Sequence, residues 1–221
     1  MKTSDFIQLY SVPNQKSNRY FEKTDREIAN FLDKSKSRMM NRSTLLLLQL
    51  AHDGNLIDKI KNFPREKIGL YSANKNGEFP YSIYSENSDQ QKIVKNLDLL
   101  SPQSLFKRSN AISTAQLAAY LDIRGPALTF SFGSFFAQHA IEQACADLRA
   151  ERTDFAIVCS SVALLNDAAN HPVGTKNESA IIIGFKLKHV DRILSLASNF
   201  EMSTNYNSQL KYLLYISEEL K

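Results

Sequence analysis

The sequence predicts an α/β protein built on one central, mixed, mostly buried sheet with helices on both faces. Three observations carry that expectation. Two segments, Phe155–Ser160 (FAIVCS) and Ser179–Leu187 (SAIIIGFKL), are almost wholly apolar, as strands covered on both faces are. The segment Phe135–Arg149 places Phe136, Ala140, Ile141, Ala144 and Leu148 at helical core spacing. A strand (Ala127–Phe132, ALTFSF) precedes that helix and an apolar strand follows it, the order of a parallel crossover unit.

The remaining elements follow along the chain. Residues Phe6–Val12 form a first strand. Residues 22–34 read as a polar helix with Ile28, Phe31 and Leu32 on one side. Arg42–His52 reads as a buried helix, apolar nearly all round from Leu45 to Leu50, with Ser43 and Thr44 as candidate caps. Gly54 suits the left-handed position that ends it. Ile68–Ser72 is a short strand, and residues 73–92, rich in Asn, Ser, Gly and Glu, read as a surface excursion. Ser113–Leu121 is a helix of good formers, and Gly125-Pro126 a turn. From about residue 203 a last helix carries a stripe of Leu210, Leu213, Leu214 and Leu220. The 221 residues are read as one domain, 1–221, long enough to bury a core without disulfides or metals.

Composition narrows the function classes. The net charge of +4 is modest and spread out; its densest basic run, Lys34, Lys36, Arg38 and Arg42, lacks the interleaved aromatics of single-strand binders. The run is read as a solvated helix face, and nucleic acid is not expected as a partner. Apolar runs such as Leu45–Leu48, extended by Leu50 and Ala51, are far too short to span a bilayer. The N-terminus MKTSDFIQLY shows no secretory pattern, so the cytoplasm is the expected location. Two cysteines, Cys145 and Cys159, make no disulfide framework and no CxxC, and both fall at core positions. There is no GxGxxG, P-loop, GxSxG or HExxH motif and no metal-ligand spacing. No metal and no bound cofactor are expected.

One position invites chemistry. Gly133-Ser134 forms the bend between the 127–132 strand and the following helix. A side chain there sits at the sheet's carboxyl edge and at a helix N-terminus, where backbone N–H groups and the helix dipole favour negative charge. A plain tight turn gives the same pattern.

At this point the sequence resembles the β-ketoacyl synthases, of thiolase-like fold. Gly125-Pro126-Ala127-Leu128-Thr129-Phe130-Ser131 is similar to the family's GPSLTVS strand. The nucleophile elbow that follows in the family, typically Thr-Ala-Cys-Ala-Ser, falls on Phe132-Gly133-Ser134-Phe135-Phe136, and the helix motif LHAIxxA on Gln138–Ala144. Asp154–Val158 is similar to the family's D-x-A-I-V strand, and Glu178-Ser179-Ala180-Ile181 occupies the place of its EGAAAL hairpin. Arg38-Met39-Met40-Asn41-Arg42 resembles its R-M-D-R helix entry, and Ser109-Asn110 also matches. The likeness covers nearly the whole chain as the N-terminal half of the family pattern and is most specific over residues 101–160.

The chain departs from that pattern in two ways. The family's nucleophilic cysteine falls on Ser134. A helix N-terminus supplies only about 1–2 kcal/mol of anion stabilisation, too little to ionise a serine hydroxyl without an adjacent base. Its neighbours Phe132, Phe135 and Phe136 are bulky, and we read them as core packing. The family's catalytic histidines, in motifs like HGTGT and KxxxGH, have no counterpart here. The four histidines are His52, His139, His171 and His189. His139 matches a helical position that is often His but is not catalytic, and the others suggest no role.

The resemblance therefore implies a ketosynthase-like protein of fatty acid or polyketide-type biosynthesis. It implies a non-catalytic partner subunit of an active ketosynthase, or a homodimer, joined through strand 127–132. It also implies an acyl carrier protein presenting a phosphopantetheine-linked acyl chain. The alternative is an acyltransferase carrying the acyl group on Ser134, with a partner chain completing the site. A lone half would expose a large apolar surface where the rest of the layered core is missing.

Overall fold

The computed structural model describes residues 5–11, 27, 28, 30–37, 40–74, 109, 111–131, 135–163, 178–200 and 206–220. Five strands form one sheet: β1 (Phe6–Ser11), β2 (Ile68–Ala73), β3 (Ala127–Phe130), β4 (Phe155–Ala163) and β5 (Glu178–Phe185). Their spatial order is β1-β5-β4-β2-β3. The pairs β2–β3 and β2–β4 are parallel, whereas β4–β5 and β1–β5 are antiparallel, so the sheet is mixed as the sequence predicts. One expectation needs correction. The 127–130 strand is not the neighbour of 155–163, because β2 lies between them. Parallel strands joined by a crossover leave room for a third, and the Ile68–Ala73 segment, buried throughout, takes the place between them.

Seven helices among the described residues cover the sheet: α1 (Lys34–Ser37), α2 (Arg42–Asp53), α3 (Leu56–Ile60), α4 (Ile112–Leu121), α5 (Phe136–Arg149), α6 (Val190–Asn199) and α7 (Tyr206–Glu219). Period-2 alternation sorts the strand side chains between two cores. Phe155, Ile157, Cys159, Ala180 and Ile182 face a core closed by α2, α3 and α4. Ala156, Val158, Ile181, Ile183 and Phe185 face a second core closed by α5, α6 and α7. Leu45, Leu47 and Leu48 of α2 and Ala140, Ile141 and Ala144 of α5 are all at most 1% exposed.

Several local expectations are revised. Of the expected 22–34 helix, residues 27, 28 and 30–32 form turns and a bend and Lys34 begins α1, while residues 22–26 and 29 lie outside the described residues. α2 is capped by Asn41, whose Oδ1 accepts from the Thr44 N–H at 2.8 Å and from the Ser43 and Thr44 hydroxyls. Ser43 and Thr44 therefore support the cap but do not form it. Gly54 is right-handed, with φ −77°, and the left-handed residue is Asn55, φ 49°. The 73–92 excursion lies outside the described residues beyond Asn74.

The expectation of a large exposed apolar face also fails among the described residues. The face of α5 away from the sheet is covered by the chain's own α6 and α7. Leu210, Tyr212, Leu213, Ile216 and Leu220 of the last helix are buried there, with Leu214 partly so. The large apolar side chains that remain exposed are Ile57, Leu128, Phe135 and Leu187. Two of these, Leu128 and Phe135, lie on β3 and at the start of α5.

Candidate functional site

The carboxyl ends of the three parallel strands β2, β3 and β4 are tied together by polar groups. The Asn74 N–H donates to Phe130 O at 3.0 Å, which holds the end of β3 against β2. Asn74 Nδ2 donates to Ser72 Oγ at 2.8 Å, and Asn74 Oδ1 accepts from the Ser161 N–H at 3.1 Å. Ser160 Oγ donates to Ala73 O at 2.6 Å. One asparagine thus joins three strand ends, and it is buried, where unmet polar atoms would be costly. Beside it, Thr129 Oγ1 on β3 bonds Thr114 Oγ1 on α4 at 2.7 Å, and Ser113 Oγ bonds Thr44 Oγ1 on α2 at 2.8 Å.

α5 begins next to this edge. Phe135 occupies its N-cap position with φ −128° and ψ 37° and offers no capping side chain. The Ala137 N–H instead donates to Gln209 Oε1 of α7 at 3.1 Å. Phe136 and Ala137 are buried, whereas Phe135 is 38% exposed. The core reading of the phenylalanines therefore holds for Phe136 and fails for Phe135. Ser134, the position aligned with the family nucleophile, lies outside the described residues together with Phe132 and Gly133.

The titratable groups are distributed as follows. His139, one turn into α5, is half-exposed and lies 3.4 Å from the equally exposed Glu142. His52 Nδ1 is 3.0 Å from the Tyr120 hydroxyl, and its ring stacks on Phe31. Burial, followed by the charge on Lys188, lowers the pKa of His189, which lies against Phe6. His171 lies outside the described residues. Of the described histidines, His139 is the one carried by the first turn of α5. Both thiols are buried core groups, as their spacing predicts; burial pushes Cys145 and Cys159 up to about 12, so neither is a ready thiolate. A buried ionic group lies at the far end of α5. Asp147 accepts from the Tyr71 hydroxyl at 2.7 Å, from Gln143 Nε2 at 2.8 Å and from Arg152 Nε at 2.9 Å. Burial and then Asp147 raise the Tyr71 phenol. This network fastens the C-terminal end of α5 to β2.

A cavity of about 560 Å³ opens at the amino end of β4, lined by Leu148, Thr153, Asp154, Lys186 and Leu187 among others. It is remote from the carboxyl edge. Among the described residues no group of His, Cys, Asp and Glu is arranged to hold a metal ion, and no helix is long and apolar enough to cross a membrane.

Asn74 and Gln209 were not legible as site residues. Asn74 opens a tract that reads as a polar loop, and Gln209 sits in a helix recognised only by its leucines. The three-strand tie and the distant cap exist only in three dimensions.

No family model and no curated protein matches the chain. Solved structures do. The chain is similar to one chain in the structure of a type II polyketide synthase acyl-carrier protein in complex with its ketosynthase bound to the hexaketide, with 13% identity and a TM-score of 0.53, over 76% of this chain. It is also similar to a β-ketoacyl synthase from Burkholderia phymatum STM815, with 11% identity and a TM-score of 0.52, over 90% of this chain. It spans 53% of the matched chain in the first and 61% in the second. The order of elements and the mixed buried sheet are thus a β-ketoacyl synthase-like, α/β fold covering part of the length of those proteins.

Proposed function

We propose that this chain is a ketosynthase-like protein of fatty acid or polyketide-type biosynthesis, folded as a single domain, that acts as a non-catalytic partner. Its partner is an active ketosynthase-like chain, or a second copy, engaged through the free edge of β3. An acyl carrier protein with a phosphopantetheine-linked acyl chain is the second expected partner.

The observation that carries this reading is the state of β3. Among the described residues it pairs on one side only, with β2, and its first two residues are exposed, Leu128 at 40%. Phe135 stands exposed just beyond it. An open parallel edge bearing apolar side chains is a liability unless another strand covers it. Pairing across a two-fold axis would satisfy both the backbone groups and the side chains.

The absence of a role in catalysis is argued from chemistry. A serine at the elbow needs a base; His52 bonds Tyr120 and stacks on Phe31, His189 lies against Phe6, and His139, in the first turn of α5, lies beside Glu142 of its own helix. Pseudoenzyme status follows as part of the proposal.

The test is reconstitution. The purified chain alone is expected to show no condensation of acyl- and malonyl-carrier substrates. Mixed with a ketosynthase that co-purifies with it, the chain should change that enzyme's rate or product length, and Ser134→Ala should leave the change intact. Condensation by the isolated chain that Ser134→Ala abolishes would establish the acyltransferase reading in its place.

A further inference from the structure

The last helix is anchored by polar side chains near both of its ends. Near its start, Gln209 reaches α5; near its end, Ser217 Oγ accepts from Gln8 Nε2 of β1 at 2.7 Å. Between them Leu210, Tyr212, Leu213 and Ile216 fill the second core.

The contact at Gln209 is unusual in its origin. The first N–H groups of a helix have no partner within it and are ordinarily met by a side chain just upstream. Here the residue just upstream is Phe135, which has nothing to offer. The acceptor comes from 72 residues further on, on another helix, and is fully buried. A carbonyl aimed at a helix N-terminus is also favoured by the helix dipole.

We infer that Gln209 is a positioning residue: from another helix of the chain it supplies a cap that Phe135 does not give α5, so that docking of the last helix sets the first turn of α5. α7 is then a strap that closes the sheet face and fixes the helix bearing the candidate elbow. The Ala137 N–H is held by the chain itself. Any ligand that drew on that N–H would have to displace Gln209, so ligand and strap would oppose each other by linkage. The inference stands on the fold and is independent of the proposed function.

The test compares the full-length chain with Gln209→Met by NMR and amide hydrogen exchange. Methionine keeps volume and apolar contact and removes the carbonyl. The Ala137 amide proton is expected to move upfield and to exchange up to about tenfold faster relative to that of Ile157 in β4, which reports overall opening. Ser217→Ala, which cuts the strap's other anchor, should leave the Ala137 shift in place. Should Gln209→Met fail to fold, Gln209→Asn draws the carbonyl back with its polarity kept and is expected to give the same result. An Ala137 amide unchanged in shift and in relative exchange in a folded Gln209 variant overturns the inference.

Discussion

The two edges of the sheet are finished in different ways. At β1 the strand runs six residues against β5 and is tied in at several points. Ile7 is buried, Leu9 packs over Gly54, and Gln8 bonds to the last helix. Just before it, Asp5 pairs with Lys186 at 2.7 Å and with Lys188. At β3 the strand is four residues long, none of them fully buried, and its tie to the helix layer is the hydroxyl pair Thr129–Thr114. A charged, strapped edge resists strand addition; a short apolar one leading directly into a helix invites it. The asymmetry supports the proposal that β3 is the interactive side of the molecule.

The largest expected effect is at the root of β3. A methyl group on Gly125 would collide with the Ile68 carbonyl oxygen and lie 2.7 Å from that of Glu66. Both are backbone atoms that cannot turn away, because Gly125 is held by its N–H bond to Arg65 O at 3.1 Å. Gly125→Ala should push β3 off β2 and destabilise the fold by about 2 kcal/mol or more, read as a lower denaturation midpoint. The matching change at the β1 edge should be milder. A methyl on Gly54 meets only the Leu9 side chain, and the right-handed backbone there accepts alanine. Gly54→Ala is expected to cost under about 1 kcal/mol, and a larger loss than that of Gly125→Ala would reverse the ranking of the edges.

The smallest effect concerns the ion pairs at β1. Hydrogen bonds from Lys186 and then Lys188 hold the Asp5 carboxyl down at about 2, against an ordinary 3.8. A depressed carboxylate contributes stability that is fully present above 3.8 and is lost as pH falls toward 2. The group is exposed, so the contribution is small. The difference in midpoint between the wild-type chain and Asp5→Asn should shrink as pH drops from 5 to 2. A difference independent of pH would show that the pairs do not secure this edge.

Much of this architecture was legible in the sequence because it rests on short-range pattern. The apolar runs of β4 and β5, the core spacing of α5 and the turn at Gly125-Pro126 each appear within a dozen residues. The strand order did not, since nothing local says that Ile68–Ala73 inserts between β3 and β4. The cap of α2 went to Asn41 over Ser43 and Thr44 because its carbonyl reaches three donors at once. The large apolar face expected of a lone half was misjudged for a related reason. The leucine stripe of α7 was visible, but its docking site on α5 is a tertiary fact. Of the candidate site, Ser134 was read from alignment with a family motif and lies outside the described residues, whereas Asn74 and Gln209 carried no local signal.

The central claim, that β3 is an interaction edge, is tested most directly by sedimentation velocity at micromolar concentration. The wild-type chain, alone or mixed with a co-purifying ketosynthase, is expected to sediment as a dimer. Leu128→Asp, which places a charge at the middle of the edge, should weaken that association about tenfold or more while circular dichroism shows the fold retained. A wild-type chain that stays monomeric with and without the ketosynthase, or a dimer indifferent to Leu128→Asp, would contradict the account.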